Sequence, residues 1–216
     1  MKQSVRNHYD LLLQRYPALE AQGAHILSMF EIMAETYYAG GKLLVCGNGG
    51  SCADSEHIVG ELMKSFCMPR PISAELREAL LLVDAEMGEL LAENLQGALP
   101  AIALDGHPAL STAFLNDVEP TLTFAQQVNG YGVAGDVLLG ITTSGNSKNV
   151  LYAAALAKAK GMQVVGLTGE RESKLSMIAD ACVRVPERET YKVQELHLPI
   201  YHCLCLMIED AFFGSK

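Results

Sequence analysis

Residues 1–39 place apolar side chains three and four apart, which predicts helix. Val5, Tyr9, Leu12, Leu13 and Tyr16 form one stripe, and Ile26, Met29, Phe30, Met33 and Tyr37 form a second. Pro17 restarts the helix between them and Gly40-Gly41 stops it. Two stripes ahead of any strand imply a helical arm packed on the body or on a partner subunit. From Lys42 the pattern changes to short apolar runs at Leu43–Cys46, Ala101–Leu104, Val137–Ile141, Gln163–Leu167 and Ala181–Val185. Helical patterns near 52–66, 108–116, 120–129, 147–160 and 172–179 separate or follow these runs, and a closing amphipathic helix spans about Tyr191 to Phe213. Runs of four or five apolar residues, each followed by a polar loop and a helix, predict an α/β fold: a three-layer, doubly wound parallel sheet. Ligands of such sheets bind at the carboxyl ends of the strands, near a switch point.

Residues 68–99 interrupt this plan with an acidic insert before the second strand. Leu80, Leu81, Leu82, Leu90, Leu91 and Leu95 recur there at roughly helical spacing, as a lid, an oligomer contact or a surface elaboration would require. The chain shows no internal repeat, and 1–216 reads as one domain, since 216 residues suffice for one sizeable core.

Composition narrows the partners. A formal net charge of −9 argues against non-specific nucleic-acid binding, which needs a basic face. A small anion is still compatible, because a nest of backbone N–H groups holds phosphate inside an acidic protein. Six cysteines, at 46, 52, 67, 182, 203 and 205, form no C-x-x-C pair. The polar start MKQSVRNHYD carries no secretory signal, and the longest apolar runs fall short of the ~20 residues of a membrane span. A reduced, cytoplasmic setting without membrane partners is the expectation.

Two turns carry the chemistry. Cys46-Gly47-Asn48-Gly49-Gly50-Ser51 follows the first strand and opens a helix, so its N–H groups sit at a helix N-terminus. The plain alternative is a strand-to-helix turn in which Ser51 only caps. Gly140-Ile141-Thr142-Thr143-Ser144-Gly145-Asn146-Ser147 repeats the arrangement after Val137–Ile141, with hydroxyls at Thr142, Ser144 and Ser147. Three neutral hydroxyls on helix-entry backbone suit a dianionic phosphate, and two such turns on one sheet can meet one ligand.

Asn48-Gly49-Gly50-Ser51, Thr142-Thr143-Ser144-Gly145-Asn146-Ser147 and the segment Gln194-Glu195-Leu196-His197 to His202 together resemble the sugar isomerase (SIS) domain, in particular its phosphoheptose isomerase branch. The resemblance covers nearly the whole chain apart from residues 68–99. It implies a flavodoxin-like nucleotide-type fold and an aldose–ketose isomerase that takes sedoheptulose 7-phosphate to a glycero-manno-heptose 7-phosphate through an enediol. It assigns the phosphorylated sugar to Asn48, Gly49, Gly50, Ser51, Glu61, Thr142, Thr143, Ser144, Ser147 and Gln194. Asn116 and Asp117 match a position that contacts sugar hydroxyls, although Asn-Asp is also an ordinary turn.

His57 and Glu61 lie four apart, so imidazole and carboxylate share one helix face. The resemblance makes this pair half of a divalent metal site, commonly zinc, with Gln194 and His202 as the other half and one ion per chain. Eight residues separate Gln194 from His202, about 12 Å along a straight helix. A kink at Pro199, a bent helix entry, or a neighbouring chain would have to close that gap. His197 reads as structural or as a support for the ligands, while His25 and His107 show no partner pattern. Glu61 and His202 are the implied acid/base pair, and both also fall in the implied ligand set.

Thr142 stands where the family usually has serine and keeps the hydroxyl. Tyr191 stands where phosphoheptose isomerases often carry an aspartate that contacts the sugar, so substrate length is the property most exposed to change. SIS domains that act only as phosphosugar sensors or scaffolds lose parts of the His/Glu/Gln/His set, and all four are present here. No helix-turn-helix segment or basic surface joins the chain to DNA recognition. The arm and the closing helix suggest a homo-oligomer, typically a tetramer in this branch.

Overall fold

Five strands form one wholly parallel sheet in the computed structural model, which describes residues 1–214. They are β1 (Leu43–Gly47), β2 (Ala101–Ala103), β3 (Val137–Ile141), β4 (Gln163–Thr168) and β5 (Ala181–Arg184), in the order β2-β1-β3-β4-β5. Each strand lies within about one residue of its expected boundary. The arm is two helices, α1 (Gln3–Arg15) and α2 (Gly23–Tyr38), joined by a 3-10 turn over Pro17–Gln22. The remaining helices are α3 (Gly50–Met63), α4 (Ala74–Val83), α5 (Ala85–Asn94), α6 (Pro108–Asp117), α7 (Thr123–Tyr131), α8 (Lys148–Ala159), α9 (Lys174–Ile178) and α10 (Thr190–Phe213).

Alternation along each strand divides the core in two. Leu43, Val45, Val137, Leu139, Val165 and Leu167 face a layer made by α1, α2, α3 and α10. Leu44, Cys46, Leu138 and Val164 face the opposite layer of α7, α8 and α9. Successive side chains of a strand point to opposite faces, so fully apolar strands require both faces to be covered. By length and composition α10 is apolar enough to cross a membrane, which no uninterrupted run in the sequence shows, but most of that stretch is buried within the fold. Its hydrophobicity is used in the core.

Residues 68–99 contain the hairpin α4–α5, with Ser73 and Asp84 capping the two helices through hydrogen bonds to Leu76 N–H and Met87 N–H. Its leucines do not build a core. Leu82 is 88% exposed and Leu90 65% exposed, and Gly88 alone is buried in the two helices. Behind α3 the chain is tied to α10 by a buried ion pair: Arg70 Nε lies 2.8 Å from Glu209 Oε1. Glu209 also accepts from Phe66 N–H and Cys67 N–H, both at 2.8 Å, while Arg70 donates to the carbonyls of Leu62 and Glu61. This clamp fixes the end of α3 against the final helix.

Candidate active site

The strand order reverses between β1 and β3, so the helices that follow them leave to opposite faces and a crevice opens between their carboxyl ends. Gly47 pairs with Ile141 across that ladder, which brings the two glycine-bearing turns out of the sheet at one level. In the first turn Gly49 is left-handed at φ 58°, and no side chain among the described residues caps α3. Ser51 is buried without taking the capping role, so among the described residues the first-turn N–H groups carry no side-chain acceptor, and Ser51 N–H and Cys52 N–H reach the carbonyls of Asn48 and Gly49. In the second turn Gly145 holds φ 66°, and a Cβ there would collide with Ser173. Glycine is therefore required by both conformation and space.

The hydroxyls of the second turn converge. Thr142 Oγ1 lies 2.8 Å from Ser147 Oγ and 3.5 Å from Ser144 Oγ, and Ser144 Oγ accepts from Asn146 N–H. Thr143 continues the turn, with its carbonyl accepting from Gly169 N–H. The two turns are bolted together by a reciprocal amide pair: Asn48 donates to Asn149 Oδ1 at 3.0 Å, and Asn149 donates back to Asn48 Oδ1 at 2.8 Å. The sequence pattern gave no sign of Asn149, because an Asn in the first turn of a helix is ordinary.

Helices α3 and α10 both leave the sheet's carboxyl edge and descend side by side. At the top, the Gln194 amide rests against Gly50 so closely that a Cβ would come within 2.6 Å of its Nε2. Two turns lower, the rings of His57 and His202 are edge to face with centroids 4.9 Å apart. His57 Nε2 lies 3.2 Å from Glu61 Oε1, and Lys64 Nζ lies 3.2 Å from the other oxygen, Oε2. The chain thus gathers His57, Glu61 and His202 in one place and Gln194 in another, at the glycine turn. Pro199 sits inside α10 without ending it, and the helical rise between Gln194 and His202 is retained.

Electrostatics separate the two histidines of α10. Burial pushes the His197 imidazole down to about 4, and its Nε2 meets the Thr168 carbonyl at 3.4 Å, so it is a neutral core group. Burial also lowers the His202 pKa, with the neighbouring His57 adding to the effect. His202 Nε2 is buried with no hydrogen-bond partner among the described residues. Such an orphaned nitrogen costs free energy unless a ligand uses it. Among the described residues no three His, Cys, Asp or Glu side chains form a ready-made metal cluster. The donor set of His57, Glu61 and the unpartnered His202 nonetheless has the chemistry a divalent ion takes.

Asn116 and Asp117 end α6 in solvent, bonded to each other at 2.8 Å, and no hydrogen bond among the described residues ties them to the turns. Tyr191 is 56% exposed in the first turn of α10. His107 packs on Tyr131, with ring centroids 5.6 Å apart, away from the site residues.

Known proteins share this fold. The family model described as SIS domain matches residues 9–95 and 90–169. A phosphoheptose isomerase of Aneurinibacillus thermoaerophilus is 33% identical over 220 aligned positions, covering 100% of this chain and 98% of that protein. The chain belongs to the SIS domain family, in its phosphoheptose isomerase branch. Within this family the solved phosphoheptose isomerase of Francisella tularensis superposes with a TM-score of 0.74 at 31% identity, covering 97% of this chain and 100% of that one. The Neisseria gonorrhoeae phosphoheptose isomerase gives 0.73 at 30% identity, covering 95% and 97%. The chain is accordingly a sugar-phosphate isomerase of the aldose–ketose class.

Proposed function

We propose that this isomerase converts sedoheptulose 7-phosphate to glycero-manno-heptose 7-phosphate, acting as one SIS domain over residues 1–216. The observation that carries the reading is the crevice itself: paired phosphate-type turns at the switch point, with an acid/base set one to three helical turns away on α3 and α10. The phosphate lies on the N–H groups of Asn48–Ser51 and on the hydroxyls of Thr142, Ser144 and Ser147, beside Thr143. Gln194, against Gly50, contacts the sugar rather than the ion, and Asn116 and Asp117 reach its hydroxyls.

Glu61 takes the proton from C1 of the ketose, next to the carbonyl, and the enediol receives a proton at C2. His202, whose pKa burial lowers, moves the proton between the two oxygens. His57, Glu61 and His202 would hold one divalent ion, zinc in this reading, which when bound polarises the carbonyl and lowers the cost of the enediolate.

A homotetramer in the cytoplasm completes the proposal. Supporting it are a cleft of about 270 Å³ between α1 and α10, lined by His202 and by the exposed Leu11 and Leu198, and six free thiols.

Incubation with a panel of ketose and aldose phosphates, with product analysis, tests the reading. Sedoheptulose 7-phosphate should be turned over, and Glu61→Gln should cut turnover about 10²–10⁴-fold with substrate affinity kept. Near-normal turnover in that variant removes Glu61 from the mechanism. Silence across the panel favours a phosphosugar-binding module instead.

A further inference from the structure

Tyr201 lies on the buried face of α10, and its hydroxyl is placed for a specific task. The side chain is 2% exposed, and its ring stands edge to face with His57 and with His202, at centroid distances of 5.5 and 5.0 Å. Its oxygen lies 3.1 Å from Asp54 Oδ1 and 3.1 Å from His57 Nδ1. Asp54 and His57 are three apart on α3 and so share a face. A phenylalanine would fill the same space; the buried hydroxyl is retained with two partners.

With Asp54 ionised, counting protons gives these hydrogen bonds a direction. The tyrosine hydroxyl has one hydrogen, and a carboxylate can only accept, so Tyr201 donates to Asp54. The remaining lone pair of Tyr201 faces His57 Nδ1, which must then carry hydrogen to make the second bond. In a neutral imidazole this leaves Nε2 as the lone-pair nitrogen. Nε2 is the atom 3.2 Å from Glu61 Oε1, on the ring that also meets His202.

We propose that Tyr201, oriented by Asp54, is a positioning residue that locks His57 as the Nδ1–H tautomer and turns its Nε2 lone pair toward the space shared with Glu61 and His202. Two acceptors, Nε2 and the Glu61 carboxylate, then face one another, and a divalent ion satisfies both. That consequence rests on the zinc reading above; the tautomer does not.

The test uses the full chain and a Tyr201→Phe variant. Nitrogen-15 spectra of the histidine rings, at a pH where imidazole is neutral, should show His57 as Nδ1–H in the parent and as a tautomer mixture in the variant. Zinc affinity, measured by competition with a chromophoric chelator, should fall about 10–100-fold, the usual loss when a ligand's hydrogen-bond partner is removed. A parent His57 carrying its hydrogen on Nε2 overturns the inference, as does a variant with unchanged tautomer and affinity. If the parent takes up no zinc but the tautomer shifts as expected, the zinc reading fails and the positioning role stands. If both proteins bind zinc equally with one tautomer, the zinc reading stands and the positioning role fails.

Discussion

Replacing Glu209 by alanine tests what holds α3 and α10 in register. Glu209 is fully buried, pairs with Arg70 at 2.8 Å and accepts from two backbone N–H groups at 2.8 Å. Removing one partner of a buried pair leaves an uncompensated charge, which costs about 3–5 kcal/mol. For a chain of this size each kcal/mol moves Tm by roughly 2–4 °C, so a fall of about 6–20 °C is expected. Circular dichroism melts at one fixed protein concentration measure it, since association also shifts Tm. The double variant Arg70→Met with Glu209→Leu should recover much of the loss, because the penalty lies in the stranded charge rather than in the missing attraction. Acid titration adds a second readout. Burial alone would raise the Glu209 carboxyl, but hydrogen bonds from Phe66 N–H, Cys67 N–H and Arg70 hold it below its ordinary 4.5. Its contribution is therefore present above that value and lost as pH falls through the lowered one, a loss that Glu209→Gln should not show. A Glu209→Ala protein melting within about 2 °C of the parent would refute this account.

Three further outcomes follow from the site. Asn149→Ala removes the amide bridge between the turns and should raise KM for a sugar phosphate several-fold while changing Tm little; an unchanged KM means the turns hold their spacing without it. His197 is neutral in the fold with its pKa down at about 4, against 6.5 when free. The unfolded chain alone takes up its proton between those values, so stability should fall as pH drops through that window and level off below it. His197→Phe should flatten this slope in urea titrations at stepped pH, and an equally steep slope would place the effect elsewhere. Prolonged chelation should abolish isomerisation, with activity restored by about one equivalent of zinc per chain; full activity in metal-free protein, checked by elemental analysis, would leave Glu61 and His202 as plain acid/base groups.

Much of this protein is written locally. Five short apolar runs, each followed by a polar loop and a helix, read as strands covered on both faces, and each glycine-bearing turn between a strand and a helix declares its backbone requirement within six residues. The pairing of His57 with Glu61 likewise needs only the helical repeat. The acidic segment 68–99 shows where local pattern misleads, since leucines at helical spacing predict helices correctly but do not say whether anything covers them, and here Leu82 and Leu90 face solvent.

What the tertiary structure decided depends on which elements become neighbours. The β2-β1-β3-β4-β5 order put the two turns on either side of one crevice and joined them through Asn48 and Asn149. The parallel descent of α3 and α10 set His202 beside His57 but left Gln194 at the glycine turn, because a continuous helix carries its 1.5 Å rise per residue past Pro199. Arg70 with Glu209, and Asp54 with Tyr201, are separated by more than a hundred residues in the chain. Each is an unremarkable residue on its own helix face or loop; burial beside its partner, where water no longer competes, is what turns it into a fixed contact.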